Sequence, residues 1–150
     1  MVQDLATRAI NYQAAFRRFP GSAFLLSRDF RILDVSDDLQ DLTGRGRCDL
    51  VGRNLFDAFP ANPHAPESTG PHNLWAALAE AARSGDRVVL RLNEYDVEDP
   101  GRPGVFEERF WSGIVTPIPG PDERAGVLAI WGYDITPAVS QARAQAAAQG

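Results

Sequence analysis

The chain has 150 residues, a formal net charge of -5, a sequence pI near 4.9 and a single cysteine. That length makes one domain able to bury a core without disulfides, and Cys48, standing alone, excludes an internal disulfide and suits a reducing compartment. The acidic balance argues against nucleic acid or an anionic membrane as main partner; with no run near about eighteen apolar residues and no secretory signal in "MVQDLATRAINYQ", a soluble cytoplasmic protein is expected.

Along the chain, Leu5, Ala9, Tyr12 and Phe16 recur at three- and four-residue spacing, which predicts an amphipathic helix from Asp4 to about Phe19, stopped by Pro20 and Gly21. "SAFLLSRDFRILDVS" reads as a hairpin of strands near Ala23 to Ser27 and Arg31 to Ser36. In "SDDLQDLTGRG", Ser36 or Asp37 is placed to cap a short helix that Gly44 closes, and Arg45, Arg47 and Arg53 read as part of a solvated loop. "GRNLFDAFPANP" predicts one or two helical turns ended by Pro60, and "ANPHAPESTGP" a loop.

"HNLWAALAEAARSG" is the clearest helix, with Leu74, Leu78 and Ala81 on one side, Trp75, Ala79 and Ala82 beside them, and Gly85 at its end. "DRVVLRLNEYDVE" alternates Val88, Leu90 and Leu92 against Val89, Arg91 and Asn93 as one strand. "FEERFWSGIVTPI" predicts another, with Phe106, Phe110, Ile114 and Ile118 on one face and Glu107, Arg109, Trp111 and Val115 on the other, Glu107 and Arg109 being placed to pair. After the turn "PGPDE", "RAGVLAIWGYDIT" gives a last strand, and the Ala- and Gln-rich tail a helix that is marginal alone. The order predicts an α+β domain: one antiparallel sheet with the central helices on a single face.

Six segments in this order, "FLLSRDFRILDVSDDLQDLTGR", "LVGRNLFDAFPANP", "NLWAALAEAARSG", "YDVEDP", "FEERFWSGIVTPI" and "GYDIT", together resemble a PAS domain of the bacterial sensory type that precedes histidine kinases, phosphatases and other two-component outputs. The resemblance spans roughly residues 20–137 and implies a five-stranded antiparallel sheet around a small cavity, with residues 1–19 and 138–150 as flanking helices. It also implies a signalling junction at Asp134, Ile135 and Thr136, a homodimer, and an output domain in cis or a partner protein in trans. On the strand at Phe106 to Ile118, Phe110 and Ile114 are expected to face the core, with Arg109 and Trp111 opposite.

The ligand site expected is Phe56, Phe59, Trp75, Leu78, Leu90 and Phe110, an apolar lining with few polar handles that suits an aromatic or acyl ligand; the competing reading is that these side chains fill the core completely and leave no cavity. The interface is expected at Leu5, Tyr12, Phe16, Arg109 and Trp111. No cofactor is expected. A flavin photoreceptor of this fold needs a reactive cysteine in the helix reading "GRNLFDAF", where Leu55 stands instead, and Cys48 precedes it. Haem needs an axial ligand aimed into the cavity, whereas His72 begins a helix and His64 sits in a loop. No phosphate loop, Gly-x-Ser-x-Gly elbow or His-Glu-x-x-His motif is present, two histidines and one cysteine make a poor metal kit, and Asp37 and Asp38 read as helix caps, so no catalytic residue is nominated. A docking scaffold that senses nothing, working through the Trp111 face, is the alternative function.

Overall fold

A computed structural model describes residues 9–121 and 125–150. The helix expected from Asp4 appears over Tyr12–Arg18 (α1), capped by the Asn11 side chain and ended at Phe19; Leu5 lies outside the described residues. The hairpin forms as Ser22–Leu26 (β1) and Ile32–Val35 (β2). Next comes Asp37–Thr43 (α2), where the Ser36 hydroxyl accepts the Leu39 amide and Gly44, at φ 68°, closes the helix in the left-handed region that glycine tolerates. Asp37 and Asp38 occupy its first turn, where negative charge suits the helix dipole.

Two single turns follow, Arg47–Leu50 (α3) and Leu55–Ala58 (α4), then the long helix Gly70–Ser84 (α5). Gly70 is required by space. A Cβ there would lie 1.6 Å from the Glu94 carbonyl oxygen, because the start of α5 presses directly on the sheet.

The remaining strands are Val88–Glu94 (β3), Val97–Glu98 (β4), Phe106–Glu107 (β5), Phe110–Pro119 (β6) and Ala125–Asp134 (β7), followed by the tail helix Thr136–Gln149 (α6). The main sheet is five-stranded and antiparallel in the order β2-β1-β7-β6-β3, while β4 and β5 pair separately. Helices α2 to α5 pack on one face, over a core that includes Leu26, Ile32, Leu50, Leu55, Leu78, Val115 and Leu128. Helix α1 lies on the other face, where Phe16 and Phe19 meet the Trp131 ring edge-on at 6.0 and 5.9 Å.

Four expectations are corrected. The strand at 106–118 breaks at Glu108 and Arg109, so its first and last parts belong to different sheets. The strand beginning at Val88 is likewise split, and a bulge between Leu90 and Asn93 turns Leu92 out to 61 % exposure while Asn93 is buried.

The face expected for β6 is reversed. Val115 and Trp111 face the helices, whereas Phe110 and Ile114 face away; Phe110 owes its burial to the opposite side, where the Arg143 guanidinium of α6 stacks 5.0 Å from its ring. Both faces of this strand are covered, so both carry large apolar residues and alternation alone cannot rank them.

The arginines at 45–53 are not a solvated loop. Arg47 bonds Asp34 at 2.9 Å, Asp37 at 3.0 Å and the Val35 carbonyl at 2.7 Å, and Arg45 stacks on Phe59. Asp34, in edge strand β2, also takes Arg17 of α1 at 3.0 Å, so one carboxylate ties helices on both sides of the sheet.

Candidate functional site

A cavity lies between the inner face of the sheet and the helices. Its space for the centre of a water-sized body is about 100 Å³, well above the roughly 10–15 Å³ that a single water needs. Ser22 and Phe24 of β1, Leu90 and Asn93 of β3, Trp111 and Gly113 of β6, and Ile130 and Gly132 of β7 form the floor. Leu39 and Thr43 of α2, Leu55 of α4, Phe59 just after α4 and Leu74 of α5 form the roof, and Tyr95 and Val97 close one side.

Gly113 and Gly132 are direct partners across β6 and β7. Neither has a positive φ, so the backbone does not demand glycine at either position. At Gly132 a Cβ would find nothing nearer than the Trp111 ring at 3.8 Å and the Ser22 carbonyl at 4.0 Å, so space does not demand it either. Gly113 is tighter, its Cβ position lying 3.2 Å from the Trp131 carbonyl. Glycine inside a strand costs stability and removes packing, and here the atoms that two side chains would supply are missing from the cavity floor.

Four polar side chains of the wall are engaged with the backbone or with a neighbouring side chain, whereas the Ser22 hydroxyl in the floor makes no side-chain hydrogen bond among the described residues. Asn93 donates to the Gly70 carbonyl at 3.0 Å and accepts from Asn73 at 3.2 Å; Tyr95 donates its hydroxyl to the Phe59 carbonyl at 2.5 Å. The Trp111 indole N–H donates to the Tyr95 carbonyl at 3.0 Å, and the Thr43 hydroxyl to the Leu39 carbonyl at 2.8 Å. Burial raises the Tyr95 phenol far above its ordinary pKa, so it stays neutral. The space these groups leave is apolar and uncharged.

A cation lies against Phe59, one of the lining residues, without itself lining the cavity. The Arg45 guanidinium sits 5.1 Å from the Phe59 ring centroid and donates to the Ala58 carbonyl. Among the described residues no carboxylate lies within ion-pair distance of it. Burial, and then the like charge of Arg53, hold it below its ordinary pKa, while Asp49 and Glu98 act in the opposite direction from further away. It remains a cation throughout the working range.

Of the six expected ligand residues, Phe59 and Leu90 line the cavity. Leu78 is fully buried in the core beside it, and Phe56 packs edge-to-face with Phe30, neither of them in the lining. Trp75 is half exposed against His72, and Phe110 is on the opposite face of the sheet. Of the expected interface residues, Tyr12 is 66 % exposed and Phe16 packs on Trp131. Arg109 bridges Glu107 at 2.7 Å and Asp134 at 2.8 Å, and Trp111 is in the cavity wall. Sequence reasoning missed Phe24, Tyr95, Gly113, Gly132 and Arg45. The readable signal for two of them was a glycine inside each of two strand patterns, "WSGIV" and "IWGYD".

His64 and His72 are exposed, as is Cys48. Among the described residues no group of three His, Cys, Asp or Glu side chains could hold a metal ion, and no helix is long and apolar enough to cross a membrane.

This architecture is the PAS fold, a sensory-domain fold found in histidine kinases and other signalling proteins. No family model and no curated protein matches the chain. Among solved structures, a PAS domain from Colwellia psychrerythraea is 16% identical, with 89% of this chain and 98% of that one covered at a TM-score of 0.61. A sensory box sensor histidine kinase from Vibrio cholerae is 15% identical over 90% of this chain and 97% of that one, TM-score 0.54. VqmA bound to DPO is 17% identical over 91% of this chain and 58% of that one, TM-score 0.56. At these identities the likeness is one of fold.

Proposed function

We propose that the protein is a sensory module that takes a small apolar ligand into the cavity and passes occupancy to an output domain through α6. The observation that carries this is the glycine pair: two strand positions that tolerate side chains by backbone conformation are left bare where they would fill the cavity. A core selected only for stability fills such space. Among the solved structures that share the fold is VqmA bound to DPO, which is in keeping with this reading.

The route out is short. Trp111, in the cavity wall, is the register partner of Asp134. The next residue back, Phe110, donates its amide to the Thr136 hydroxyl at 2.9 Å and accepts the Ile135 amide at 2.8 Å. Asp134 accepts the Thr136 amide at 2.9 Å and pairs with Arg109. A shift of Trp111 therefore acts within one residue of the bonds that set where α6 begins. In this reading residues 20–137 are the sensing unit, with the segments on either side of it, which carry α1 and most of α6, flanking it. The unit works as a homodimer through the outer sheet face, where Val89 and Tyr133 are exposed.

Native mass spectrometry of wild type and Gly132→Val tests the reading. An added mass on the wild type that is lost on denaturation and absent from the variant supports it. Bare wild-type protein that also fails to bind small apolar probes contradicts it.

A further inference from the structure

We infer that the ligand is an amphiphile carrying a carboxylate: an apolar body that fills the space over the Gly113–Gly132 floor, and an anionic head held at the rim by Arg45. The inference rests on the proposed sensory reading and adds the chemical class.

Two observations lead to it. The cavity wall offers little free hydrogen-bonding capacity, since Asn93, Tyr95, Trp111 and Thr43 spend donors within the protein, which leaves the single hydroxyl of Ser22 in the floor. A polar group carried deep into that space would lose its water without replacement, so the body of the ligand must be apolar and any head must stay at the edge.

The Arg45 guanidinium is not itself part of the lining; it lies on the ring of Phe59, a residue of the cavity roof, and its backbone amide bonds the hydroxyl of Thr43, another. One N–H goes to the Ala58 carbonyl. The others meet no carboxylate among the described residues, whereas Arg17, Arg31, Arg47, Arg83, Arg102, Arg109 and Arg143 each pair with one; Arg18, Arg28, Arg53, Arg87 and Arg91 also lack one, but they are exposed while Arg45 is partly buried. A partly desolvated guanidinium with its fork unfilled is matched by a carboxylate, which accepts two parallel N–H bonds in one plane. The acids Asp49 and Glu98 act on Arg45 from a distance, which favours a monoanion over a doubly charged phosphate.

Calorimetric titration of the full chain with octanoate and with phenylacetate, each beside its neutral counterpart, octanol and phenylacetamide, tests this. The expected result is that each acid binds wild type about tenfold tighter than its counterpart, the effect of one added charge-assisted contact near 1.4 kcal/mol. That advantage shrinks with added salt. Arg45→Gln removes it and leaves the neutral probes unchanged, Arg45→Lys keeps part of it, and Gly132→Val abolishes binding of acid and counterpart alike.

Acid and counterpart binding wild type equally, with Gly132→Val still blocking both, overturns the head-group assignment and leaves the sensory reading standing. Binding of neither overturns both. Should Arg45→Gln fail to fold, the comparison on wild type decides alone.

Discussion

The two faces of strands β6 and β7 are built by opposite rules. On the outer face, Trp131 receives the edges of Phe16 and Phe19 and donates its indole N–H to the Pro20 carbonyl at 3.2 Å, while Phe110 is covered by Arg143. On the inner face the same two strands place Gly113 opposite Gly132 beneath open space. Large side chains fix the flanking helices to one side, and missing side chains leave room on the other. In the proposed reading, holding a guest and moving a helix are two tasks separated by the alternation of side chains along these strands.

Substitutions that act on one face and spare the other sharpen this contrast. The largest effect is expected at Gly70, where α5 meets the inner face. Gly70→Ala drives a methyl into the Glu94 carbonyl and costs about 3 kcal/mol, read as a fall in the denaturation midpoint. Asp34 serves both sides, and its side chain is only 10 % exposed. Asp34→Asn leaves Arg17 without its carboxylate and Arg47 with Asp37 alone, and is expected to cost about 2 kcal/mol by urea denaturation.

Trp131→Ala acts on the outer face alone. A loss of about 1.5 kcal/mol is expected, with faster hydrogen exchange at Ala14 to Phe19 and unchanged ligand affinity; lost affinity would break the separation of faces.

The smallest effect is at Glu94. Burial, then Asp96 and Glu108, raise its carboxyl above the ordinary value. The folded state therefore holds that proton more tightly than the unfolded chain. The penalty is absent below the ordinary carboxylate range and grows as pH rises through it. Glu94→Gln should stabilise by about 0.3 kcal/mol at neutral pH, after discounting for solvent screening, and by nothing in acid. Paired melts at the two pH values check the sign.

Much of the fold was legible because its signals are local. Ser36 and Gly44 bracket α2, Gly85 ends α5, and the periodicity of "NLWAALAEAARS" needs no partner to be read. The site was far less legible. Which face of β6 meets the core depends on what covers the other face, and α1 and α6 supply that cover from distant parts of the chain. The glycine pair exists only once β6 and β7 are in register, nineteen positions apart by their numbering. The bulge that buries Asn93 instead of Leu92 shifts parity in mid-strand. Arg45 looked like one of three loop arginines, and only the placement of Phe59 beneath it sets it apart from Arg47, which found Asp34.

The central claim is that the inner face is left open for a guest. Its most direct test is the unfolding free energy of Gly132→Val against wild type, each refolded from denaturant to remove any bound ligand. The account predicts stability equal to wild type or higher by about 1 kcal/mol, since valine suits a strand, lowers the entropy of the unfolded chain and fills open space. A loss of about 3 kcal/mol, as expected when extra carbons are forced into a filled core, would contradict it.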